Sequence, residues 1–289
     1  MITNESKERI IKAIAENRKA YPSDAKHAAA LGISAAIYSQ IMKGDTERKL
    51  ADAKWITIAR KLDVNLGSSV EWKIAATPTY QYIYAQLEKC QQKGLSAMFC
   101  GLPNIGKTMT AKHYAKQHAN VVYVDASQVK SKQRMVRFIA KELGLNSTGR
   151  YADVYDDMVY YLRSLPQPLI IIDEAGDLRY DAFLELKALW NATEYCCGWY
   201  LMGADGFKAH LERGVEYRKV GFAEMRSRYG DKYNTTVPLD SKDRERFLME
   251  QAVIVAKANA PEGTDYREIA RKSLGSLRRV HALITKTGK

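Results

Sequence analysis

Residues 101–108, GLPNIGKT, match the spacing GxxxxGK[ST] of a loop that binds nucleotide phosphates. Its glycines let backbone N–H groups curl around phosphate oxygens at the start of a helix. We expect Lys107 to reach the β and γ phosphates and the Thr108 hydroxyl to ligate Mg²⁺. The alternative is a glycine turn followed by chance by lysine and threonine. The predicted nucleotide-binding residues of this segment are Gly101, Pro103, Asn104, Ile105, Gly106, Lys107, Thr108 and Met109.

A second motif, LIIIDE at residues 169–174, is an apolar run that ends in two carboxylates. α/β proteins bind their ligands at the carboxyl ends of such strands. Asp173 is expected to hold the Mg²⁺ shell, and Glu174 to accept a proton from the attacking water. Together, the two motifs predict a site that binds ATP with Mg²⁺ and hydrolyses ATP.

Strands and helices that could position these motifs alternate along the middle of the chain. Short apolar runs occur at residues 95–100, 121–124, 169–172, 199–202 and, as a weaker candidate, 235–239. Segments of helical length separate these runs, a pattern typical of a three-layer α/β sheet. From residue 241 onward, the sequence is helical in character.

The N-terminal segment has the pattern of a compact helical unit. A first helix near residues 5–18 precedes a short alanine-rich helix, a turn at Gly32, an N-cap at Ser34, and a second helix that carries Ile37 and Ile41. This order is that of a helix-turn-helix. A further helix at about 47–62 would close the small core. Residues 64–79 break the helical period, and residues 66–78 are predicted to form a linker.

We therefore expect a helix-turn-helix domain at residues 1–65, a linker at 66–78, an α/β ATPase core at 79–240 and a helical lid at 241–289. The formal net charge of +12 favours a polyanionic partner such as nucleic acid, although a basic protein need not have one. The four cysteines lack CxxC spacing, which is typical of reduced thiols. With no signal-like start and no apolar run of about 18 residues, a cytoplasmic protein without a membrane partner is expected.

With these motifs in place, the core and its helical tail resemble the AAA+ ATPases. The resemblance implies that Arg278, in Gly275-Ser-Leu-Arg278, acts as a sensor 2 arginine toward the γ-phosphate, the alternative being a surface arginine beside Arg279 on a basic helix. It places Asp205 where the family has sensor 1, although a carboxylate there would repel phosphate unless water bridges them. It also implies an arginine finger, acting on a neighbouring subunit's site, in the segment EMRSR. Arg228 is the first choice and Arg226 the second, the alternative being that both coat a basic helix.

A helix-turn-helix ahead of an AAA+ core is similar to the transposition ATPases of Mu-type phages. The similarity rests on residues 31–55, the phosphate-binding loop, LIIIDEAGDL, EMRSRYG and GSLRRV. It implies ATP-dependent assembly, as hexamer-like rings or helical filaments, on double-stranded DNA with little sequence preference. It also implies a DDE transposase as the partner that the assembly recruits and stimulates.

Two segments are candidates for contact with DNA. The predicted recognition helix is poor in the side chains that make bidentate contacts to bases, so it is not expected to read a specific operator. A segment after the second strand could contact backbone phosphates, or could be a solvated helix start. The small N-terminal domain could instead bind protein or pack on the core. The candidate contacts are Ser34, Ala35, Tyr38, Ser39, Lys43, Lys130, Lys132 and Arg134.

Two rival functions stay open from the sequence. One is a transcriptional regulator in which nucleotide switches a dimeric helix-turn-helix. The other is a helicase-loader-like ATPase whose client is a protein ring. A regulator would footprint one palindromic site and a loader would need its helicase, whereas a transposition ATPase would coat arbitrary duplex DNA when ATP is present.

Overall fold

The computed structural model describes residues 2–62, 64, 66 and 72–287. Within these residues, the N-terminal part of the chain is helical. Ile10, Ile14, Trp55 and Ile58 form the centre of its own hydrophobic core and are fully buried. Its helices are α1 (Asn4–Asn17), α2 (Asp24–Leu31), α3 (Ala35–Met42) and α4 (Asp52–Lys61).

Local capping explains where α2 and α3 begin and end. Ser23 and Ser34 accept hydrogen bonds from backbone N–H groups in the first turns of α2 and α3. Gly32, with φ of 70°, ends α2 in the left-handed conformation that glycine adopts without strain. The last helix is shorter than expected, because residues 44–51 form turns and α4 begins only at Asp52.

Part of the expected linker, residues 67–71, lies outside the described residues. Residues 72–77 follow without helix or strand, and α5 (Pro78–Lys93) then begins with Thr77 as its N-cap and proline in its first turn. The domain boundaries remain predictions.

In the described part of the chain, five parallel strands form one sheet in the order β2-β3-β4-β1-β5. Helices cover both faces, so the expected three-layer α/β core is confirmed. The strands are β1 (Ser96–Cys100), β2 (Val121–Asp125), β3 (Leu169–Asp173), β4 (Gly198–Gly203) and β5 (Tyr233–Asn234). The helices between them are α6 (Lys107–Gln117), α7 (Lys132–Glu142), α8 (Tyr151–Ser164), α9 (Tyr180–Ala192), α10 (Asp205–Glu216) and α11 (Phe222–Arg228).

The last strand corrects the sequence analysis. β5 consists of Tyr233 and Asn234, which pair with Met98 and Phe99 of β1, and residues 235–239 form no strand. The Asn234 side chain also donates a hydrogen bond to the Met98 carbonyl at 2.9 Å. The apolar residues at 235–239 suggested a strand, but the backbone pairing is satisfied just before them.

The C-terminal helices α12 (Ser241–Asn259), α13 (Tyr266–Ser273) and α14 (Leu277–Thr287) pack around a separate cluster that includes Ala252, Ile269 and Val280. This is the expected helical lid. It reaches the phosphate-binding loop, because the Leu277 N–H donates to the Asn104 carbonyl at 3.1 Å.

The N-terminal helices contact the side of the α/β core. Lys61 of α4 forms an ion pair with Glu142 of α7 at 2.7 Å, and the Asn120 N–H donates to the Ala20 carbonyl at 3.1 Å. Among the described residues, no helix is long and apolar enough to cross a membrane.

Candidate nucleotide site

The loop 101–106 connects β1 to the N-terminus of α6 and has the geometry of an anion-binding turn. Gly106 has φ of 98°, a conformation that a side chain would strain, and it occupies the N-cap of α6. No side chain caps this helix end. Its first N–H groups are therefore available for phosphate oxygens, and the helix dipole favours negative charge there.

Lys107 lies at the start of α6 and is almost completely buried. Its ammonium donates hydrogen bonds to the carbonyls of Gly101 and Leu102 at 2.9 and 2.7 Å. Burial lowers the pKa of Lys107, and the nearby carboxylates of Asp173 and Glu174 oppose that shift. The loop thus holds a desolvated cation against its own carbonyls, in position to meet an incoming phosphate.

Asp173 ends β3 and connects the two sequence motifs in space. Its Oδ2 accepts hydrogen bonds from the Thr108 hydroxyl at 2.6 Å and from the Tyr123 hydroxyl at 2.9 Å. Its Oδ1 accepts from the Glu174 N–H at 2.9 Å. Since β1, β3 and β4 are parallel, their carboxyl ends meet at one edge of the sheet, which brings residues 65 positions apart into contact.

The surroundings of Asp173 fit a divalent cation. The side chain is 1% exposed, and its described hydrogen-bond donors are neutral groups, while the nearby Lys107 ammonium is hydrogen-bonded to loop carbonyls. Mg²⁺ is typically bound by one or two protein oxygens together with substrate phosphates and waters. The described residues contain no cluster of three or more His, Cys, Asp and Glu that could hold a metal alone. Thr108 and Asp173 would therefore hold Mg²⁺ together with a bound nucleotide.

Glu174 follows Asp173 with φ of 50°, in the left-handed region that is uncommon outside glycine. It lines the same cleft as Lys107 and Thr108. Burial raises the pKa of Glu174, and the neighbouring Asp173 charge raises it further. A carboxylate with a raised pKa beside the phosphate-binding loop suits a general base.

The cleft has a volume of about 620 Å³ and lies between the loop, the lid and the segment before α5. Arg278 of α14 lines it, as the sensor 2 interpretation requires. Part of the lining forms an aromatic wall: the Trp72 and His281 rings lie 4.6 Å apart, and Tyr80 also lines the cleft. Sequence reasoning missed this wall, because Trp72 falls in the expected linker and none of these residues belongs to a motif.

The other predicted nucleotide residues occupy different places. Pro103, Asn104 and Met109 line the cleft, whereas the Ile105 side chain is buried in the core and can offer only its backbone. At the sensor 1 position, Ala204 lines the cleft and Asp205 is exposed at the start of α10. The sensor role of Asp205 stays a prediction.

Arg226 and Arg228 lie on α11, outside the residues that line the cleft. The Arg228 guanidinium stacks over the Trp190 ring at 5.2 Å and donates to the Asn191 side chain at 2.9 Å. Arg226 lies 3.6 Å from Asp231. Arg228 is thus held more firmly, although the choice between the two as the finger stays open.

One of the expected DNA contacts is wrong. Tyr38 is only 3% exposed, and its hydroxyl is hydrogen-bonded to His27 Nδ1 at 3.0 Å. Burial lowers the pKa of His27 to about 4, so the ring is neutral at pH 7. The core stripe of α3 runs through Tyr38 and Ile41, and a buried ring cannot reach a base. The remaining candidates on and around this helix, Ser34, Ala35, Ser39 and Lys43, are exposed.

The basic segment after β2 lines a second cavity of about 300 Å³. Lys130 and Arg134 meet there with Arg179, a residue from the loop before α9 that sequence reasoning missed. Lys130 also pairs with Asp177 at 2.9 Å, whereas Lys132 lies 3.6 Å from Glu185 and is not among the residues that line this cavity. Lys130 and Arg134 stay candidates for phosphate contact, and Arg179 joins them.

Comparison with known proteins agrees with this architecture. The family described as the AAA domain matches residues 90–211, from the end of α5 into α10. A solved structure, the Thermotoga maritima RuvB Holliday junction branch migration motor, has a TM-score of 0.39 and 19% identity over 73% of this chain and 61% of that chain. The match to the AAA domain spans the part of the chain that holds the phosphate-binding loop and strands β1 to β4.

The chain also resembles the B proteins of Mu-like phages. It is 29% identical over 188 residues to the Mu-like prophage FluMu DNA transposition protein B of Haemophilus influenzae, covering 64% of this chain and 65% of that protein. It is 28% identical over 157 residues to the ATP-dependent target DNA activator B of Escherichia phage Mu, covering 54% of this chain and 49% of that protein. These matches span less than two thirds of either relative.

Proposed function

We propose that this chain is a Mg²⁺-dependent ATPase that binds double-stranded DNA during transposition. The observation that carries the proposal is the contact between Thr108 and Asp173 beside Lys107, which assembles the two nucleotide motifs into one site. The names of the two relatives, a DNA transposition protein and a target DNA activator, support DNA transposition as the process.

The chain's own residues divide the chemistry among them. Lys107 and the first N–H groups of α6 bind the phosphates, and Thr108 and Asp173 hold Mg²⁺. Bound Mg²⁺ would neutralise charge on the phosphate oxygens. Glu174 accepts the proton of a water that attacks the γ-phosphate, and Arg278 adds positive charge from the lid.

DNA binding is supported by charge and by the basic cavity. The net charge is +12, and Lys130, Arg134 and Arg179 converge after β2 and β3. Such groups contact phosphates without reading sequence. The exposed residues of α3 offer few base-reading side chains, which favours non-specific binding over operator recognition.

Assembly and a transposase partner complete the proposal. A finger arginine on α11 would act on a neighbouring subunit, so hydrolysis would require rings or filaments in which each site is completed in trans. The DNA-bound assembly would then recruit a DDE transposase.

Anisotropy on two duplexes of unrelated sequence, with and without ATP and Mg²⁺, tests this function. We expect similar affinity for both duplexes, present only with nucleotide and falling steeply with salt. Binding of only one duplex, with a footprint over a single palindromic site, would support the transcriptional regulator instead. DNA binding that needs an added helicase would support the loader.

A further inference from the structure

Tyr123 is the third residue of β2, and it belongs to neither nucleotide motif. Its hydroxyl donates to Asp173 Oδ2 at 2.9 Å, the same oxygen that accepts from Thr108 at 2.6 Å. Because a carboxylate oxygen can only accept, the Tyr123 phenol is the donor in this contact.

The strand register explains how this contact forms. Tyr123 pairs with Ile171 and Asp125 pairs with Asp173, so the tyrosine ring projects along the sheet toward a carboxylate two residues further on. Tyr123 packs against the hydrophobic cluster under α5 and α6, the same layer that supports the phosphate-binding loop. The Lys112 ammonium lies over its ring at 5.8 Å. The ring is thus held from several sides, and its hydroxyl has a fixed position.

The Thr108 and Tyr123 hydroxyls both donate to Asp173 Oδ2, but only Thr108 is expected to bind the cation as well. Thr108 can turn an oxygen lone pair toward Mg²⁺ while its O–H still donates to Asp173, so its orientation must then satisfy both partners. Tyr123 has no such second task. It can keep Asp173 Oδ2 oriented whether or not Thr108 binds a cation.

We propose that Tyr123 is a positioning residue, whose hydroxyl fixes the Asp173 carboxylate for Mg²⁺ binding. This inference rests on the proposed function, since it takes Asp173 as the magnesium-binding residue. Donors that orient a metal-binding carboxylate change metal affinity by about 10- to 100-fold when removed. Phosphate binding by Lys107 and the loop is not expected to depend on the Tyr123 hydroxyl.

The test is Tyr123→Phe, which removes only the hydroxyl, with Tyr114→Phe as its matched control. Tyr114 lies in the same cluster, and its hydroxyl donates to the Gln91 side chain at 2.7 Å, away from Asp173. The measurement is a Mg²⁺ titration of protein with a fluorescent ADP, after magnesium is removed with EDTA. We expect the half-saturating Mg²⁺ concentration to rise about tenfold or more in Tyr123→Phe and to stay unchanged in Tyr114→Phe. Magnesium-free ADP affinity should be the same in both variants and in the wild type, which also shows that each variant is folded.

Measurements in the Asp173→Asn variant distinguish the positioning of Asp173 by Tyr123 from a general structural effect. In Asp173→Asn, Mg²⁺ binding should already be weak, and adding Tyr123→Phe should weaken it no further, because the group being positioned is gone. Equal Mg²⁺ affinity in Tyr123→Phe and wild type, with Asp173→Asn impaired, would overturn the inference alone. Unchanged Mg²⁺ affinity in Asp173→Asn would overturn the proposed magnesium site itself. Additive losses in the double variant would show that Tyr123 acts by another route.

Discussion

The Leu277 N–H of the lid donates to the Asn104 carbonyl of the phosphate-binding loop at 3.1 Å. This backbone contact closes one side of the cleft and places the next residue, Arg278, along its wall. The lid and the loop therefore meet directly, and the position of the lid arginine depends on the loop that binds phosphate.

Arg278→Ala is expected to weaken ATP binding about tenfold or more while leaving the affinity for ADP closer to normal. A hydrogen bond to a charged group contributes about 1.5–3 kcal/mol, and only ATP offers the γ-phosphate. Arg279→Ala is the matched control, because Arg279 donates to the Lys272 carbonyl and does not line the cleft. Equal losses in both variants, measured by calorimetry, would remove the sensor role from Arg278.

Lys107→Ala should abolish tight ATP binding. The variant keeps the backbone cradle but loses the buried cation that lies against the loop carbonyls. Lys116→Ala, on the exposed side of the same helix, should bind as the wild type does. Calorimetric titration with ATP compares them, and an unchanged affinity in Lys107→Ala would contradict the phosphate site.

The environment of Glu174 predicts how ATP turnover depends on pH. Its raised pKa means that the carboxylate becomes protonated, and unable to act as a base, at a higher pH than an ordinary glutamate. ATP turnover should therefore fall as the pH is lowered through this raised pKa, whereas ATP binding persists. Glu174→Gln should retain ATP and Mg²⁺ but slow hydrolysis by about 10²- to 10⁴-fold. Near wild-type turnover in that variant would exclude Glu174 as the base.

Trp72 offers an intrinsic probe of the cleft. Because its ring lies 4.6 Å from His281 in the aromatic wall, bound nucleotide should alter its fluorescence. The protein has four tryptophans, so the assignment uses Trp72→Phe, which should lose the ADP-dependent change. Trp190→Phe should keep it, since Trp190 stacks with Arg228 outside the cleft. If Trp72→Phe retained the full signal, the nucleotide would not contact this wall.

The motifs at residues 101–108 and 169–174 were predictable because each is defined by a short local spacing. Their meeting was predictable because the carboxyl ends of parallel strands lie at one edge of the sheet. The fold followed from the alternation of apolar runs and helices, except that β5 is two residues long and too short for a periodic pattern. Tyr123, Trp72 and Arg179 were not predictable. Their roles depend on strand register and on loops distant in sequence, which no local spacing records.

Tyr38, by contrast, was predicted from the sequence to contact DNA and is buried in the structure. It lies on a helix with the features of a recognition helix, and tyrosine is a reasonable surface residue there. The ring is buried because His27 supplies a partner for its hydroxyl from α2, which removes the cost of burying that group. A pairing between two helices decided its position, and the pattern of α3 alone did not show it.

Neighbouring subunits are expected to complete each other's active sites on DNA, and a mixing experiment tests this claim. ATP turnover is measured with duplex DNA for Arg228→Ala, for Glu174→Gln and for mixtures at fixed total protein. Each variant alone should be nearly inactive. Mixtures should exceed the sum of the two, because an Arg228→Ala subunit supplies Glu174 while its Glu174→Gln neighbour supplies Arg228. Turnover equal to that sum at every ratio, together with wild-type activity that does not depend on protein concentration or DNA, would contradict the claim.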